Sequence, residues 1–332
     1  MSPPPVIAPP IVIGLSAVVI AIEGGEAAVL TVRHGDAMPG LPFGPFEPEG
    51  QRTFELAMRA FVAEQTGFEL GFVEQLYTFG DKGRDAPLAD VGAGAARVVS
   101  VGYLAIAARA EAVQAPDTAW TPLMGFFPWE DWREGRPALI DEVVAPALDA
   151  WSARAPAAGR ESVRARARLL FALEGAPWNE ERVLERYELL YEAGLAPEAA
   201  RDRALANARE AARPEQDKRL GRAMISDHRR ILATALSRLR GKLKYRPVVF
   251  ELMPPEFTLS ALQRVVEAIA GVSLHKQNFR RAVERSGLVE GLGRLDAGTG
   301  GRPAELFRFR RELLGARPVG GLPLPTSARD GG

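Results

Sequence analysis

The apolar run from Ile11 to Ile22 constrains the fold of this chain more than any other stretch. It reads IVIGLSAVVIAI and contains no charged residue. Twelve residues are too few to cross a bilayer, and no basic residue precedes the run, as a signal sequence would require. The run therefore predicts a long buried strand. No other apolar run approaches transmembrane length, so we expect a cytoplasmic protein with no membrane partner.

Turn signals and periodicity around this strand predict an α+β domain. Gly24 and Gly25 separate the strand from a second β-branched run, Ala27 to Arg33, which predicts a hairpin. A loop rich in Gly and Pro follows, and a helical pattern then runs from Gln51 to Thr66. Two further strands are predicted at Phe72–Phe79 and Arg97–Ala108. The order strand, strand, helix, strand, strand favours an α+β sandwich over a doubly wound sheet.

The composition changes from about residue 136, where Ala, Leu, Arg and Glu become dominant. This bias is typical of helices and predicts a helical insert. Start signals place its helices at Pro137–Ala153, Glu161–Leu173, Asn179–Ala193 and Pro197–Arg213. We expect a disordered tail at 1–10, a first domain at 11–135, the insert at 136–217, the last helix of the first domain at 218–245, a C-terminal domain at 246–316 and a disordered tail at 317–332. Within the last helix of the first domain, Ser226–Leu243 has apolar residues along one face and arginines on the other, and residues 244–255 after it are expected to form a short strand and a linker.

The net charge of zero hides an asymmetry between the two parts of the chain. Residues 218–332 carry 22 Lys and Arg against 10 Asp and Glu, whereas residues 1–217 carry 20 against 32. Such a split is typical of a nucleic-acid-binding end joined to an acidic body, although a dipolar solvated surface produces it as well. The chain has no Cys and only three His, which excludes disulfides, thiolate zinc sites and Cys nucleophiles.

Two helices open the basic C-terminal domain. The first is capped by Thr258 or Ser260 and ends at Gly271; the second is capped by Ser273 and ends at Gly287. Two helices with so short a link predict a helix-turn-helix. On the second helix the apolar residues Phe279, Ala282 and Val283 are expected to face inward, and the polar residues Lys276, Gln277, Asn278, Arg280 and Arg281 are expected to face outward.

The exposed face of the second helix has the chemistry of a major-groove reader. Gln and Asn side chains pair with adenine, and Arg pairs with guanine. Two candidate strands then flank a Gly-rich loop, which predicts a wing with Arg302 at its tip, within reach of phosphates or a minor groove. A basic helical hairpin that packs on a partner protein remains the alternative.

Several C-terminal motifs resemble a known family. The stretch SDHRRILATALSRLRGKLKYRPVVFELMPPEFTLSALQRVVEAI, followed by KQNFRRAVERSGLV and GRPAELFRF, is similar to Nudix-related transcriptional regulators of NAD metabolism, the NrtR family and its NadQ-type branch. The resemblance covers about residues 10–130 and 218–314. It implies a Nudix-like α/β/α sandwich with the helical insert, then a winged helix-turn-helix domain. It also implies a homodimer on double-stranded DNA with a palindromic operator, repressing NAD biosynthesis genes under the control of a nucleotide.

The resemblance also identifies the helix AMRAFVAEQTGF as a degenerate Nudix box. With its last glycine at Gly67, the positions usually occupied by Glu, Arg, Glu and Glu hold Arg52, Ala60, Phe61 and Gln65, and Phe46 stands at the first glycine. Glu64 is the one surviving carboxylate, whereas Mg²⁺ requires several clustered oxygen ligands. We therefore expect a scaffold with no catalytic residue and no metal or other cofactor.

The pocket of this scaffold is expected to hold an effector nucleotide. TFGDKGRDAP resembles the Nudix loop GDPGRDPR, with Pro87 in place of the usual Arg. Arg84 is suited to a phosphate and Phe46 or Phe43 to a base, although Arg84 and Asp85 could instead form a loop salt bridge. The predicted effector-binding residues are Phe46, Arg52, Glu64, Asp81, Arg84 and Asp85. ATP, NAD and ADP-ribose all offer an adenine and a diphosphate, so each remains open.

Other residues with possible chemistry have simpler interpretations. Asp227 at a helix start is expected to be a cap and His228 a surface residue. Trp129 and Trp132 either line the pocket or seal an edge of the core.

Two rival functions remain open at this stage. An active hydrolase of ADP-ribose-type substrates would recruit Glu47, Glu49 and Glu55 to the metal. A protein-binding adaptor would use the basic C-terminus and show no steep salt dependence on DNA. The insert is expected to serve as a dimer contact or a lid.

Overall fold

The computed structural model describes residues 11–33, 38–81, 97–108, 115, 117–206, 217–296, 303–313 and 321–322. The strands are β1 (Ile11–Glu23), β2 (Glu26–Val32), β3 (Phe43–Pro45), β4 (Phe72–Phe79), β5 (Arg97–Ile106), β6 (Thr118–Pro122), β7 (Phe257–Thr258), β8 (Val289–Asp296) and β9 (Ala304–Phe309). The α-helices are α1 (Phe54–Thr66), α2 (Ala145–Arg154), α3 (Ala157–Leu170), α4 (Val183–Glu192), α5 (Pro197–Ala206), α6 (His228–Tyr245), α7 (Leu259–Ala270) and α8 (Lys276–Ser286). The predicted tail at 1–10 lies outside the described residues.

Strand β1 is central to a mixed sheet with the order β4-β5-β1-β2-β6. It runs parallel to β5, and its other edge is shared by β3 and β2, both antiparallel to it. Side chains such as Leu15 and Val19 pack in the core beneath α1, whereas Val18 and Ile20 pack in the core beneath α6. A strand covered on both faces has no polar alternation, which explains the continuous apolar run. The predicted buried strand and hairpin are confirmed.

The helices of the insert differ from their predicted bounds: α3 begins four residues and ends three residues earlier than predicted, and α4 begins four residues later and ends one residue earlier. They are not a separate layer. A π-helical turn, Ile140–Val144, precedes α2, and the chain leaves the helix at Ala155 before Pro156. Pro197 opens α5 as predicted. Buried residues of the insert share one hydrophobic core with the sheet, α6, α7 and α8. The described residues of the predicted insert, 136–217, therefore pack into the same core as the sheet domain and do not form a separate unit.

Helix α6 differs from its predicted amphipathic form. Its apolar stripe is buried as expected, but Arg229 and Arg240 are also buried, at 0% and 1% exposure. Arg229 donates to the carbonyl oxygens of Phe126 and Leu220 and lies 3.4 Å from the carboxylate of Glu198. The prediction of an exposed arginine face is wrong at these two positions, because distant segments supply their partners.

The C-terminal domain has the element order β7, α7, α8, β8, β9, with a three-stranded sheet in the order β7-β9-β8. Thr258, rather than Ser260, caps α7 by accepting a hydrogen bond from the Ala261 amide, and Gly271 ends the helix in the left-handed conformation. The predicted cap at Ser273 is wrong, because its hydroxyl donates to the carbonyl of Arg133 and α8 begins at Lys276. The helix-turn-helix itself is as predicted.

Two connecting segments differ from the sequence-based expectation. Residues Val248–Leu252 form a 3-10 helix and not a strand, since β9 pairs with β7 and leaves this segment no strand partner. In the predicted tail at 317–332, Leu322 is 1% exposed and its amide donates to the carbonyl of Leu243. This part of the tail is therefore packed against the end of α6.

Candidate nucleic-acid interface and nucleotide site

Helix α8 divides cleanly into a buried and an exposed face. Phe279, Ala282 and Val283 are buried against the rest of the C-terminal domain. The predicted DNA-binding residues on this helix are exposed: Lys276, Gln277, Asn278, Arg280 and Arg281. A helix that buries its apolar stripe and presents amides and cations to solvent has the surface that a major groove accepts.

The cations on this face are not equivalent. The Arg280 guanidinium lies 2.9 Å from the carboxylate of Glu284, one turn further along α8. Lys276 and Arg281 form no ion pair with any residue that the structure describes. Their charges are therefore directly available to a phosphate, whereas Arg280 must first leave Glu284.

The wing consists of β8 and β9, which pair antiparallel from Val289 opposite Phe309 to Asp296 opposite Ala304. Its predicted tip, including Arg302, lies outside the described residues. The strands add cations that the sequence analysis missed. Arg294 and Arg308 are each 61% exposed, paired with Glu256 and Glu290 respectively. On β9 the available signal was the position of Arg308 between two apolar residues, Phe307 and Phe309.

Helix α1 retains the shape of a Nudix helix without its ligand geometry. Thr53 caps it and Gly67 ends it in the left-handed conformation. At the expected ligand positions, Phe61 is buried in the core and the Gln65 amide is bonded to the backbone of Phe43, accepting from its N–H at 3.2 Å and donating to its carbonyl at 2.6 Å. Ala60 and Glu64 are exposed. In the described part of the chain, no cluster of three or more His, Asp or Glu side chains is arranged to hold a metal.

The predicted effector residues fall into separate places. Phe46 packs edge-on against Phe54 at a centroid distance of 4.6 Å, with Arg52 exposed nearby in sequence before α1. Glu64 lies near the other end of α1, a helix about 20 Å long. Asp81 forms an ion pair with Arg230 of α6, the helix that covers the opposite face of the sheet. Arg84 and Asp85 lie outside the described residues. The described residues of this set are therefore not gathered around one point.

A cavity of about 1140 Å³ lies elsewhere, between α2 and α3. Its lining contains none of the predicted effector residues and includes Arg136 and Arg164, which are paired with Asp141 and Asp149. We do not assign the nucleotide to it, because size alone does not provide phosphate or base recognition.

His228 is buried at the start of α6, contrary to the predicted surface position. Asp227 occupies the N-cap position as predicted, but its side chain makes no capping hydrogen bond. The Leu41 amide donates to His228 Nδ1 at 3.0 Å. Burial, and to a lesser degree the charge of Arg201, lowers the pKa of His228 to about 3. The imidazole is thus neutral in the folded protein at neutral pH.

This histidine makes the stability of the protein depend on pH. In the unfolded chain the imidazole has its ordinary pKa of 6.5 and binds a proton below that pH, whereas in the folded chain it stays neutral down to about pH 3. The contribution of His228 to the free energy of unfolding is therefore fully present above pH 6.5 and falls as the pH decreases. In urea unfolding, we expect the loss between pH 7 and pH 5 to be about 2 kcal/mol greater for the native chain than for His228→Asn. Equal losses in the two proteins would contradict this assignment.

Trp129 and Trp132 are expected from the sequence either to line the pocket or to seal an edge of the core, and the structure places both at the core. Trp129 is 1% exposed, and Trp132 stacks on Trp178 with ring centroids 4.3 Å apart. The described helices include none long and apolar enough to span a bilayer.

The fold and the exposed helix define a class of protein: an α+β sandwich with a helical insert, joined to a winged helix domain. Residues 249–309 match the family model of the NrtR DNA-binding winged helix domain. The chain is 43% identical over 83 residues to the ADPR responsive transcriptional repressor NtrR of Acinetobacter baylyi. This match covers 25% of the chain and 33% of that repressor, so the chain matches about a third of the length of its curated relative.

Solved structures extend the likeness in fold to nearly the whole chain. NrtR of Shewanella oneidensis complexed with a 27mer DNA matches with a TM-score of 0.52 at 20% identity, over 90% of this chain and 93% of that one. A MutT/nudix family protein from Enterococcus faecalis matches with a TM-score of 0.51 at 15% identity, over 93% and 90%. The predicted fold class, an α+β Nudix-like domain with a helical insert followed by a winged helix domain, is confirmed.

Proposed function

We propose that the protein is a homodimeric, DNA-binding transcriptional repressor of NAD biosynthesis genes. The observation that supports this most directly is the exposed polar face of α8, in a domain that matches the NrtR winged helix family. Lys276 and Arg281 would hold phosphates, while Gln277, Asn278 and Arg280 would read base edges. Such a protein acts in the cytoplasm, on double-stranded DNA with a palindromic operator.

The Nudix-like domain would sense an adenine nucleotide without cleaving it. Phe61 is buried in the core and Gln65 is hydrogen-bonded to the backbone of Phe43, so neither side chain is available to bind a metal. Glu64 alone cannot complete the oxygen shell that Mg²⁺ requires. Of the candidate effectors, ADP-ribose is favoured over ATP and NAD, because the curated relative is described as ADPR responsive.

Control by the effector requires two arrangements of the dimer with different affinities for the nucleotide. Two α8 helices engage two half-sites only at a fixed separation, about 34 Å for adjacent turns of B-DNA. A nucleotide that binds one arrangement more tightly shifts the population toward it. The effector would thus change the affinity for the operator by changing the separation of the two α8 helices.

The test is fluorescence anisotropy of a labelled duplex from an NAD biosynthesis promoter, with a scrambled duplex as control. We expect tight, competitor-resistant binding to the promoter alone, changed by ADP-ribose at concentrations where ATP and NAD act weakly. Equal affinity for both duplexes would overturn the repressor and favour the adaptor. Mg²⁺-dependent cleavage of ADP-ribose, lost in Glu64→Gln, would instead establish a hydrolase.

A further inference from the structure

A fully buried carboxylate lies where the sheet domain, the insert and the winged helix domain meet. Glu130 is 0% exposed and is the last residue of the 3-10 turn Pro128–Glu130, which follows β6. Arg186 of α4 donates to both its oxygens, from Nε at 2.5 Å and from Nη2 at 2.8 Å. Arg240 of α6 donates to one of them from Nη1 at 2.5 Å. Two guanidinium groups from different elements thus share one carboxylate.

Such a cluster is costly to bury, and every guanidinium nitrogen of Arg186 and Arg240 accordingly has an acceptor. Arg186 also donates to the carbonyl oxygens of Leu170 and Asn179, and Arg240 to those of Glu180 and Ile269. Buried ion clusters are seldom more stabilising than apolar residues of the same volume, and their best-attested use is to fix one arrangement among several. The arrangement fixed here is that of α4, α6 and the segment around Glu130.

The winged helix domain is bound directly to this cluster. Arg240 Nε donates to the carbonyl of Ile269, near the end of α7, at 2.9 Å. The backbone N–H of Trp132 donates to the carbonyl of Gly271 at 2.6 Å, and the Ser273 hydroxyl donates to the carbonyl of Arg133 at 2.6 Å. These contacts hold the link between α7 and α8. The orientation of α8 on the sheet domain therefore depends on where residues 130–133 lie.

We propose that Glu130 is a positioning residue for DNA binding, through which Arg186 of the helical insert fixes the orientation of α8 relative to the sheet domain. The inference rests on the proposed function, because α8 must be the recognition helix. It assigns the insert a role distinct from a lid or a dimer contact. Loss of the Arg186 link would leave the side chains of α8 unchanged. The distance between the two α8 helices of a dimer would no longer be fixed at one value.

The variant that isolates this link is Arg186→Met. It leaves one buried carboxylate against one guanidinium, so the remaining pair of Glu130 and Arg240 stays charge-balanced. The matched control is Arg166→Met on α3, which removes an exposed ion pair with Glu192 from the same insert. An exposed pair contributes little to stability, and Arg166 bonds to Glu192 rather than to Glu130, Arg186 or Arg240.

A distance measurement reads the orientation without DNA. The chain has no Cys, so spin labels can be placed at Leu56→Cys on α1 and Ser260→Cys on α7, both exposed. With labelled chains diluted in unlabelled protein, we expect double electron–electron resonance to give one narrow distance distribution in the parent and in Arg166→Met, and a broadened or shifted one in Arg186→Met. An unchanged distribution in Arg186→Met would overturn the proposal. If Arg186→Met does not unfold cooperatively, Arg186→Lys, which keeps the charge but cannot bond both oxygens of Glu130 as the guanidinium does, takes its place.

Operator binding supplies the second readout. We expect Arg186→Met to bind the operator about tenfold more weakly, to discriminate less between operators with half-sites moved by about one or two base pairs, and to bind scrambled DNA normally. Full affinity and full discrimination would contradict the positioning role. If the parent itself fails to prefer the operator, the proposed function fails, whereas the distance distributions still decide whether Arg186 sets the orientation.

Discussion

Replacing both Arg280 and Arg281 by Glu is expected to weaken operator binding by about three orders of magnitude. Each lost contact to a base or phosphate costs about 1–3 kcal/mol, and each new carboxylate repels the DNA backbone. The two positions should differ, because Arg280 is paired with Glu284 in the free protein and Arg281 has no such pair among the described residues. Arg281→Glu alone should therefore have the larger effect.

The measurement is anisotropy over a range of salt concentrations. In the double variant, the slope of log affinity against log salt should fall by about one, as expected when the phosphate contact assigned to Arg281 is lost, because Arg280 is assigned to a base edge. Arg166→Glu with Arg168→Glu on α3 is the control, since it makes the same change in net charge on another exposed helix. If both double variants lose affinity equally, charge rather than the α8 face determines binding.

The second large effect is expected at Gly271. Its φ of +69° is unfavourable for any residue with a Cβ, and a Cβ here would overlap the carbonyl oxygen of Glu130 and lie 2.6 Å from Arg240 Nη2. We expect Gly271→Ala to lower the free energy of unfolding by about 2–5 kcal/mol, from backbone strain together with overpacking.

Gly287 offers a matched control for this substitution. It ends α8 as Gly271 ends α7, with a φ of +66°, but a Cβ there would meet nothing within 4 Å. Gly287→Ala should therefore cost only the conformational part, about 1–2 kcal/mol. Urea unfolding of the two variants separates strain from overlap. Equal losses would mean that the contact between Gly271 and residues 130–133 contributes nothing to stability.

The parts of the fold that sequence reasoning predicts are those with local signals. The hairpin follows from Gly24 and Gly25, and the ends of α1, α7 and α8 follow from Gly67, Gly271 and Gly287. The two faces of α8 follow from its own periodicity, since the inward Phe279 and the outward Arg281 need no distant partner to be recognised.

The parts that it misses depend on distant partners. Arg240 resembles any exposed arginine on an amphipathic helix, yet its acceptor Glu130 lies 110 residues away in sequence. His228 is buried because the amide of Leu41, 187 residues away, reaches its ring. Gln65 stands at a ligand position by motif but bonds to Phe43 instead. The positions of Arg84, Asp85 and Arg302 stay predictions, because they lie outside the described residues.

The burial of α6 has a consequence for how such proteins diversify. The helix packs on the sheet through residues such as Ile231, and its Arg240 is bonded to the carbonyl of Ile269 in the DNA-binding domain. A winged helix from a relative, grafted after residue 246, would meet an unmatched surface at this helix. The two domains are thus not freely interchangeable. Substitutions on α8 and the wing would change the proposed operator preference while leaving the bond between α6 and α7 in place.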